Sequence, residues 1–597
     1  MKLLDLDGVI EKGVFEIPSY QRGYAWQEEQ LKDFWNDLEH VSKLGDKFHY
    51  MHSLTLRGLE NELEDSAFEI IDGQQRLATS LILLGLLAKI TQNKDPKYDS
   101  MNLEPVLSYK YYGLSEAFRA IMEEEKDLEI FQTSFYAKNL IDAYAFFKEK
   151  ISNTPVGTLE KMFDALIKKM LFSVVGLNDN RIDPFSSFET INNRGKDLST
   201  LELLKNRLHF VAHKICDEED LENLQQEIND TYTIIYHDLR QFEDAHLESF
   251  LKHFVAYYYG ENSKFKERLL NTAFDAHKKY DDLYDEYEKI DDLLFYLSYS
   301  SKVWHFLHTL DDEELRIEIT PKMRDLLDKM RRLNALSENA FLPLLLSLLT
   351  IQLAVRSGSE RHYTTKELED LLEYLERFGF LIYGVAGKNT AKNEWIGLAF
   401  KAIQACRFWG DKITIEDLPT LEKSFFNRQG NSGLELLEEN IHSKKNTEKW
   451  YKWGKALNYL LYEYELYHNP ETTLNFDSSI ESIEHILPQK PDQGYSAKEK
   501  SWAKNPHIVH ALGNLLLISK NANSSLSNKP FDEKRKAYLK GSYSEKEVAK
   551  NASFGIVEIQ ERSEKLLDFL IARYRIAELV GENAIKAFKN ALLKEIK

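Results

Sequence analysis

The sequence lacks the features that secreted and membrane proteins depend on. Only two cysteines, Cys216 and Cys406, occur in 597 residues, so a disulfide framework is excluded and a reducing cytoplasm is the expected environment. The longest apolar run, residues 340–355, contains proline and polar residues and falls short of the roughly 20 residues that a membrane-spanning helix needs. Charged residues within the first seven positions predict that there is no signal peptide. We therefore expect a cytoplasmic protein without a membrane segment.

Proline, glycine and serine are not concentrated anywhere, so neither a flexible linker nor a low-complexity segment marks a domain boundary. The length is enough for several domains, and the 43% of hydrophobic residues indicates a folded chain. Apolar residues three and four positions apart predict that the middle is helical. We predict a mostly helical, mixed α+β fold in three parts, residues 1–210, 211–430 and 431–597, with breaks near 205–213 and in the polar loop 427–433.

A histidine motif lies near the end of the chain. The dipeptide Glu484-His485 is followed by Asn514, 29 residues after the histidine, and by Asn523 nine residues later. An unperturbed imidazole has a pKa of about 6.5, which suits removal of a proton from water. The side-chain oxygens of Glu484 and Asn523 suit a hard cation such as Mg²⁺ or Mn²⁺. These residue types predict metal-dependent hydrolysis of phosphodiester bonds. The neighbouring segments predict a strand and a helix, residues 514–519 and 530–539.

The order and spacing of this motif resemble those of the HNH, or ββα-metal, nucleases. The resemblance implies that His485 is the general base, that Asn514 orients the site, and that Glu484 and Asn523 lie at the metal. It also implies that a β-hairpin carries the histidine and the first asparagine, and that a helix carries the last ligand. The alternative is that the Glu-His pair is a surface or core feature and that the Gly-Asn sequence is an ordinary turn.

The net charge of −20 argues against a surface that coats nucleic acid. Residues 500–540 have the opposite balance, because eight basic residues and only two acidic ones occur there. This local positive charge surrounds the histidine motif and predicts salt-sensitive contacts with phosphate groups. The residues that we predict to bind DNA are Lys520, Lys529, Lys534 and Arg535.

A second set of motifs lies at the other end of the chain. Residues 68–71 predict a short strand that ends at Asp72, and the apolar spacing of residues 75–90 predicts a helix. A turn that leads into a helix presents free N–H groups to one point, which suits a phosphate group. Arg22 and Arg76 can add paired donors, and Asp72 can approach a metal ion that a nucleotide carries. The plainer interpretation is a tight turn with internal salt bridges, and the absence of a Walker A motif leaves the two open.

Three segments, residues 17–26, 71–79 and 188–199, resemble the N-terminal domain of the GmrSD-type restriction enzymes, which is related to the ParB/sulfiredoxin fold. The HNH-like segment resembles the C-terminal domain of the same family. The resemblance implies that the N-terminal domain binds and hydrolyses GTP or another nucleoside triphosphate. It carries this role to Gln21, Arg22, Asp72, Gly73, Gln74, Gln75, Arg76, Asn192 and Arg194. Three aromatic residues of the first segment either pack in the core or line a pocket, namely Tyr20, Tyr24 and Trp26.

The resemblance implies an anti-phage restriction endonuclease of type IV, which depends on modification of its DNA target. The N-terminal domain would sense DNA and turn over nucleotide, and the helical middle would couple this domain to the HNH site. That site would nick or cleave foreign double-stranded DNA with or without a base or backbone modification. A homo-oligomer and a partner protein of a defence system stay open as further partners. Two other interpretations stay open, a nucleotide-responsive DNA-binding regulator with an inactive HNH half and a toxin-like ribonuclease, the first because Asn523 is a weaker metal ligand than histidine.

Overall fold

The chain divides into two compact units, Met1–Leu315 and Arg316–Lys597. Both units consist mostly of helices; the first also contains a six-stranded sheet and the second a two-stranded sheet. The structure is a computed structural model, and it describes residues 2–45, 47–58, 67–91, 96–110, 112–177, 198–242, 244–261, 263–275, 278–280, 282–313, 315, 317–354, 363–408, 410–476, 480–491 and 494–596.

The sheet of the first unit is mixed. Its strands are β1 Lys2–Asp5, β2 Val14–Ile17, β3 His49–Gly58, β4 Ala67–Asp72, β5 Leu107–Tyr109 and β6 Met170–Gly176, in the order β1-β6-β3-β4-β2-β5. β2 is parallel to both of its neighbours, β4 and β5, and β3 is parallel to β6, whereas the β1–β6 and β3–β4 pairs are antiparallel. Because β2, β4 and β5 are parallel, their carboxyl ends lie at the same edge of the sheet. The segments that follow Ile17, Asp72 and Tyr109 therefore begin side by side.

Helices form the rest of the first unit. The most buried of them begins directly after β4, and residues 81–88 are apolar or glycine on all sides, as expected for a helix enclosed by other elements. The helices are α1 Leu6–Ile10, α2 Glu28–Lys43, α3 Gln74–Ile90, α4 Ser100–Leu103, α5 Tyr112–Met122, α6 Phe135–Ser152, α7 Val156–Lys168, α8 Thr200–Ile215, α9 Glu218–Asp238, α10 Asp244–Tyr259, α11 Phe265–Glu267 and α12 Leu283–Thr309, with a π-helical turn at Arg268–Ala273 and 3₁₀ turns at Pro96–Tyr98, Glu104–Val106 and Glu129–Phe131.

The second unit contains one antiparallel strand pair among helices. The strands are β7 Glu481–His485 and β8 Leu515–Ser519. The helices are α13 Pro321–Ser337, α14 Leu342–Leu353, α15 Thr365–Phe378, α16 Lys392–Phe408, α17 Leu421–Ser424, α18 Gly433–His442, α19 Lys455–His468, α20 Ala497–Trp502, α21 Pro506–Val509, α22 Lys520–Leu526, α23 Phe531–Tyr538, α24 Tyr543–Ala549, α25 Ile556–Arg573 and α26 Ala577–Lys594, with a π-helical turn at Gly379–Val385 and 3₁₀ turns at Ile415–Asp417, Lys449–Trp453 and Leu512–Asn514.

The prediction of a mostly helical, mixed α+β fold is confirmed. The strand and helix predicted around Asp72 are β4 and α3, and the strand predicted at 514–519 is β8. The helix predicted at 530–539 is α23, which Pro530 precedes as its N-cap. These segments have a strong local pattern, which is why the sequence alone locates them.

The apolar run at 340–355 forms the buried helix α14. Among the described helices none combines the length and the apolar character that crossing a membrane requires. The break predicted near 205–213 falls inside α8, which continues to Ile215. The division into three parts stays a prediction.

Two backbones approach closely beside β8. The N–H of Gly513 donates to Oγ of Ser563 at 2.8 Å, and Nη1 of Arg562 donates to the carbonyl oxygens of Gly513 and Leu515 at 2.8 and 2.7 Å. A Cβ atom at position 513 would lie 2.0 Å from the carbonyl oxygen of Ile559. Only glycine therefore allows α25 to pack against the start of β8.

We expect Gly513→Ala to lower the free energy of unfolding of the second unit by about 3 kcal/mol, because the backbone of α25 must move to admit the methyl group. Urea denaturation followed by tryptophan fluorescence measures the change. The control is Gly397→Ala in α16, where a Cβ atom meets no atom within 4 Å. That substitution should stabilise the helix by about 0.5–1 kcal/mol. A neutral result for Gly513→Ala would contradict the packing described above.

Candidate functional sites

The segment around His485 has the order strand, loop, strand, helix. β7 ends at His485, the antiparallel strand β8 returns beside it, and α22 follows β8 directly and packs on both strands. Successive side chains of a strand point to opposite faces, so Ser482 and Glu484 lie on one face and His485 on the other. The two members of the Glu-His pair therefore have different surroundings.

His485 is buried among polar and aromatic side chains. Its Nε2 lies 3.0 Å from Nδ1 of His510, its Nδ1 lies 3.3 Å from Nε2 of Gln489, and its ring centroid lies 4.9 Å from that of Tyr451. Burial, with added repulsion from His510 and Lys534, lowers the pKa of His485 to about 3. The ring is therefore neutral at pH 7 and is a weak base. An anionic phosphate group beside the ring would raise this pKa toward neutral pH.

His510 is a functional candidate that the sequence analysis missed. It is 8% exposed, and burial lowers its pKa. Because the amide N–H of Gln489 donates to Nδ1 of His485, the proton of the neutral His485 ring is on Nε2 and is donated to His510. The second histidine follows the short helix α21, 25 residues away in the chain, and no local pattern connects the two. Only the pairing of β7 with β8 brings them together.

Asn514 holds the loop that follows His485. It is fully buried, and its Oδ1 accepts a hydrogen bond from the N–H of Leu487 at 2.7 Å. Its Nδ2 donates to the carbonyl oxygens of Leu487 and Val509 at 2.9 and 2.7 Å, and its own carbonyl accepts from the N–H of Ile486. These bonds join the end of β7 to the segment before β8. All of them are internal, so the side chain can position His485 but does not face a substrate.

Glu484 is paired with a buried lysine. Its Oε1 accepts hydrogen bonds from Nζ of Lys534 at 2.5 Å and from the hydroxyl of Tyr538 at 3.1 Å. Nζ of Lys534 also donates to the carbonyl oxygens of His485 and Ile486, so all three of its protons are used. Burial raises the pKa of Glu484 and lowers that of Lys534. The pair ties β7 to α23.

The surroundings of Glu484 do not fit a metal ion. Its carboxylate is neutralised by Lys534, and the other predicted ligand, Asn523, donates from Nδ2 to Oγ of Ser482 at 2.8 Å and to the carbonyl oxygen of Ile483 at 3.2 Å. The part of the chain that the structure describes has no group of three His, Cys, Asp or Glu side chains that could hold a metal ion. The metal roles of Glu484 and Asn523 stay predictions, and these contacts do not support them.

The four predicted DNA contacts are placed differently. Lys520 and Lys529 are exposed, as phosphate binding requires. Arg535 is partly buried, and its Nε donates to the carbonyl oxygen of Ala549 at 2.8 Å. Lys534 is 0% exposed and bonded to Glu484, so a phosphate group cannot reach it in this arrangement. We therefore assign Lys534 a structural role. Its position in a basic segment had suggested contact with DNA instead.

Glutamine side chains connect the first two N-terminal motifs at the sheet edge where β2 and β4 end. Each of them bonds to the backbone of the other motif, so they hold the 18–26 loop against the start of α3. The amide oxygens of Gln21 and Gln74 have no hydrogen-bond partner among the described residues. The bonds run from Gln21 to the carbonyls of Ile70 and Ile71, from Gln74 to the carbonyl of Arg22, and from Gln75 to the carbonyl of Gly23, while the Gln75 oxygen accepts from the N–H of Ala25.

Asp72 and Arg76 form an ion pair at the start of α3. Nη2 of Arg76 donates to Oδ2 of Asp72 at 3.1 Å and to the carbonyl oxygen of Ser53 at 2.8 Å, and the Ser53 hydroxyl donates to the same carboxylate oxygen at 2.9 Å. Both charged side chains are 20% exposed. Gly73 has a φ of 102°, and a Cβ atom there would lie 2.9 Å from the carbonyl oxygen of Ser53, so the turn requires glycine. The internal salt bridge is present, and solvent still reaches both partners.

The remaining predicted residues are divided between the core and the undescribed part of the chain. Tyr24 is fully buried, and its hydroxyl lies 2.6 Å from Oγ1 of Thr79, which makes it a core residue. Tyr20 is buried as well, whereas Trp26 is partly exposed. The predicted nucleotide contacts at 192 and 194, both in the third motif, lie outside the described residues.

Comparison with known families gives two matches. The description "GmrSD restriction endonuclease, N-terminal domain" matches residues 3–209, and "GmrSD restriction endonucleases, C-terminal domain" matches residues 437–569. The chain belongs to the GmrSD restriction endonuclease family. The GmrSD N-terminal match covers β1 to β6, and the C-terminal match covers β7, β8 and His485. A comparison with curated proteins gives no match. As a GmrSD family member, the protein is a restriction endonuclease whose substrate is DNA.

In this GmrSD endonuclease we expect Lys534→Met to lower the free energy of unfolding of the second unit by about 3–5 kcal/mol, because Glu484 is left as an unpaired buried charge. Lys536→Met, which removes an exposed lysine of the same helix, should change it by less than about 0.5 kcal/mol. The double variant Lys534→Met with Glu484→Leu should recover much of the loss. Urea denaturation measures all three, and equal losses in the two single variants would contradict a structural role for Lys534.

Proposed function

We propose that the N-terminal part of this restriction endonuclease binds and hydrolyses a nucleoside triphosphate and that an HNH-type site around His485 cleaves foreign DNA. The observation that carries the nuclease half is the placement of His485 at the end of the first strand of a strand, loop, strand and helix unit, with Asn514 holding the adjoining loop. In this proposal a base or backbone modification of phage DNA is the cue for cleavage. GTP or another triphosphate controls the activity.

In the proposed reaction the neutral ring of His485 takes a proton from the attacking water. Nδ1 becomes the acceptor when the amide of Gln489 moves away, while Nε2–H stays bonded to His510. The charge of a bound DNA phosphate offsets the effect of burial and raises the proton affinity of the ring. Exposed lysines such as Lys520 and Lys529 would contact neighbouring phosphates. Mg²⁺ or Mn²⁺ dependence is part of the proposal only through the resemblance to HNH nucleases.

One observation favours a second function, a nucleotide-responsive DNA-binding regulator with an inactive nuclease half. The carboxylate of Glu484, which a metal ion would need, is bonded to Lys534 and Tyr538 instead. A chain of this kind would bind DNA without cutting it. The toxin-like ribonuclease has no structural observation in its favour and differs from both in its substrate.

The nucleotide half of the proposal is supported by the start of α3. This 17-residue helix presents its first N–H groups at the edge of the sheet, where Asp72 and Arg76 are both 20% exposed. Arg76 can contact phosphate oxygens, and Asp72 can contact a metal ion carried by the nucleotide. The ion pair between them would hold both in place before the nucleotide binds.

We expect His485→Ala to reduce plasmid nicking at least 100-fold, because general-base catalysis contributes a factor of about 10²–10⁴. The assay follows conversion of supercoiled DNA, either plain or carrying glucosylated hydroxymethylcytosine or phosphorothioate, with Mg²⁺ or Mn²⁺ and with or without GTP or ATP. The control is His507→Ala, which removes a partly exposed histidine three positions before His510 and should cut at the wild-type rate.

Each outcome of this assay separates the candidate functions. Equal cutting by His485→Ala would remove His485 from the mechanism, and cutting that survives EDTA would remove the metal ion. DNA binding without cutting on every substrate would favour the regulator. Faster degradation of RNA than of DNA in a parallel digestion would favour the ribonuclease.

We expect Arg76→Ala and Asp72→Ala to reduce triphosphate hydrolysis at least tenfold while the fold stays intact, because solvent reaches both side chains and water can hydrogen-bond the group that is left. Phosphate release from GTP and ATP measures the effect. Lys89→Ala, which removes an exposed lysine from the other end of the same helix, is the control. Wild-type phosphate release in both site variants would refute their assignment.

A further inference from the structure

A basic connection between two helices lies beside His485 and outside the basic segment 500–540. Residues 443–454 join α18 to α19, and they contain four lysines but only one acidic residue, Glu448. The lysines of this connection that are exposed are Lys444, Lys445 and Lys452. The whole chain has a net charge of −20, so the connection has the opposite charge balance. Its surface therefore favours an anionic partner.

Tyr451 brings the connection into contact with the histidine pair. The ring centroid of Tyr451 lies 4.9 Å from that of His485 and 5.9 Å from that of His510. The two histidines are 7% and 8% exposed, whereas Tyr451 is partly exposed. The tyrosine ring therefore links the buried histidines to the protein surface.

A second contact of His485 that reaches solvent comes from the loop after β7. Nε2 of Gln489 lies 3.3 Å from Nδ1 of His485, and both Gln489 and the residue that follows it, Lys490, are exposed. In the same way, Tyr451 is followed by the exposed Lys452. Each of these two contacts of the imidazole is thus adjacent in sequence to an exposed lysine. Positive charge therefore flanks the surface nearest to Nδ1 of His485.

Hydrogen bonds anchor the backbone of the connection. Nδ2 of Asn446, which is 3% exposed, donates to the carbonyl oxygens of Asn440 and Lys449 at 3.1 Å each. Further along, Nε1 of Trp453 donates to the carbonyl oxygen of Gly384 at 3.0 Å. Lys449 has a φ of 47°, an unfavourable conformation for a residue with a Cβ atom, which persists only where its surroundings fix it. Because this backbone is anchored beforehand, less conformational entropy is lost when a partner binds.

We propose that the connection formed by residues 443–454 binds the DNA backbone beside His485. The residues that contact phosphate groups are Lys444, Lys445 and Lys452, together with Lys490 from the loop after β7. Duplex DNA carries one negative charge per about 1.7 Å of its axis, and ammonium groups at the ends of long side chains can neutralise several of these charges. Such contacts fix the position of the duplex without reading its sequence. The inference rests on the proposed nuclease function and deepens it, because it names a surface that holds DNA at His485.

The test measures how salt weakens the binding of the full chain to a short fluorescent DNA duplex. Fluorescence anisotropy is followed between about 50 and 200 mM KCl, and every protein carries His485→Asn so that the proposed general base is absent. Each phosphate contact contributes about 0.9 to the slope of log K against log salt concentration. We expect Lys445→Gln with Lys452→Gln to reduce this slope by about 2 and to weaken binding about tenfold or more at the lowest salt concentration.

The matched control removes the same charge from elsewhere in the second unit. Lys401→Gln with Lys423→Gln replaces exposed lysines of α16 and α17 and should keep the slope of the parent protein. All four lysines of the two pairs are exposed, so neither pair should shift the thermal unfolding midpoint appreciably.

The outcomes separate this surface from the nuclease function. An unchanged slope for the pair at 445 and 452, or an equal loss in the control pair, overturns the surface and leaves the nuclease proposal intact. A reduced slope combined with wild-type plasmid nicking by His485→Asn keeps the surface and overturns the role of His485. Failure of the parent protein to bind the duplex overturns the surface, because contacts with the DNA backbone need no base modification. A reduced slope for an RNA duplex alone assigns the surface to RNA and overturns it as a DNA surface.

Discussion

Both candidate sites depend on whether the fold pairs each buried cation with an opposite charge. A buried charge is stable only when an opposite charge accompanies it. Beside β7 the match is internal, because Lys534 is bonded to Glu484 and to two backbone carbonyls. Beside β2 the match is incomplete, because Arg22 reaches the interior without a carboxylate among the described residues. The first arrangement holds a strand in place, and the second leaves Arg22 without an ion pair to any described carboxylate.

The ion pair between Glu484 and Lys534 changes the interpretation of the histidine motif. The nuclease resemblance puts Glu484 at the metal, and the basic segment 500–540 predicts that Lys534 binds DNA, yet here each neutralises the other. His485 lies on the opposite face of β7, where His510 and Gln489 occupy its two ring nitrogens. The imidazole of His485 and the ion pair are thus on different sides of one strand. Any divalent ion must either displace Lys534 or find ligands elsewhere.

At the other end of the chain, strand direction explains why separate motifs meet. β2, β4 and β5 are parallel, so the 18–26 loop, the Asp72 turn and the segment after Tyr109 all begin at one edge. The glutamines of the motifs hold these segments together, so the proposed ligand contacts fall to the charged residues. The motif therefore combines two roles that its sequence does not distinguish: the amide side chains fix the backbone, and Arg22, Asp72 and Arg76 carry the charge.

The sequence alone determined the local elements, because β4, α3, β8 and α23 follow from apolar periodicity and capping signals within each segment. It also determined family membership, because the order of the motifs can be read from the sequence without any knowledge of packing. Tertiary structure alone decided which charges are buried and which are paired. Lys534 and Lys529 have the same residue type in the same basic segment, but one lies inside α23 against Glu484 and the other is exposed. Likewise His510 reaches His485 only through the tertiary fold, since contacts between residues distant in the chain leave no periodic pattern in a single sequence.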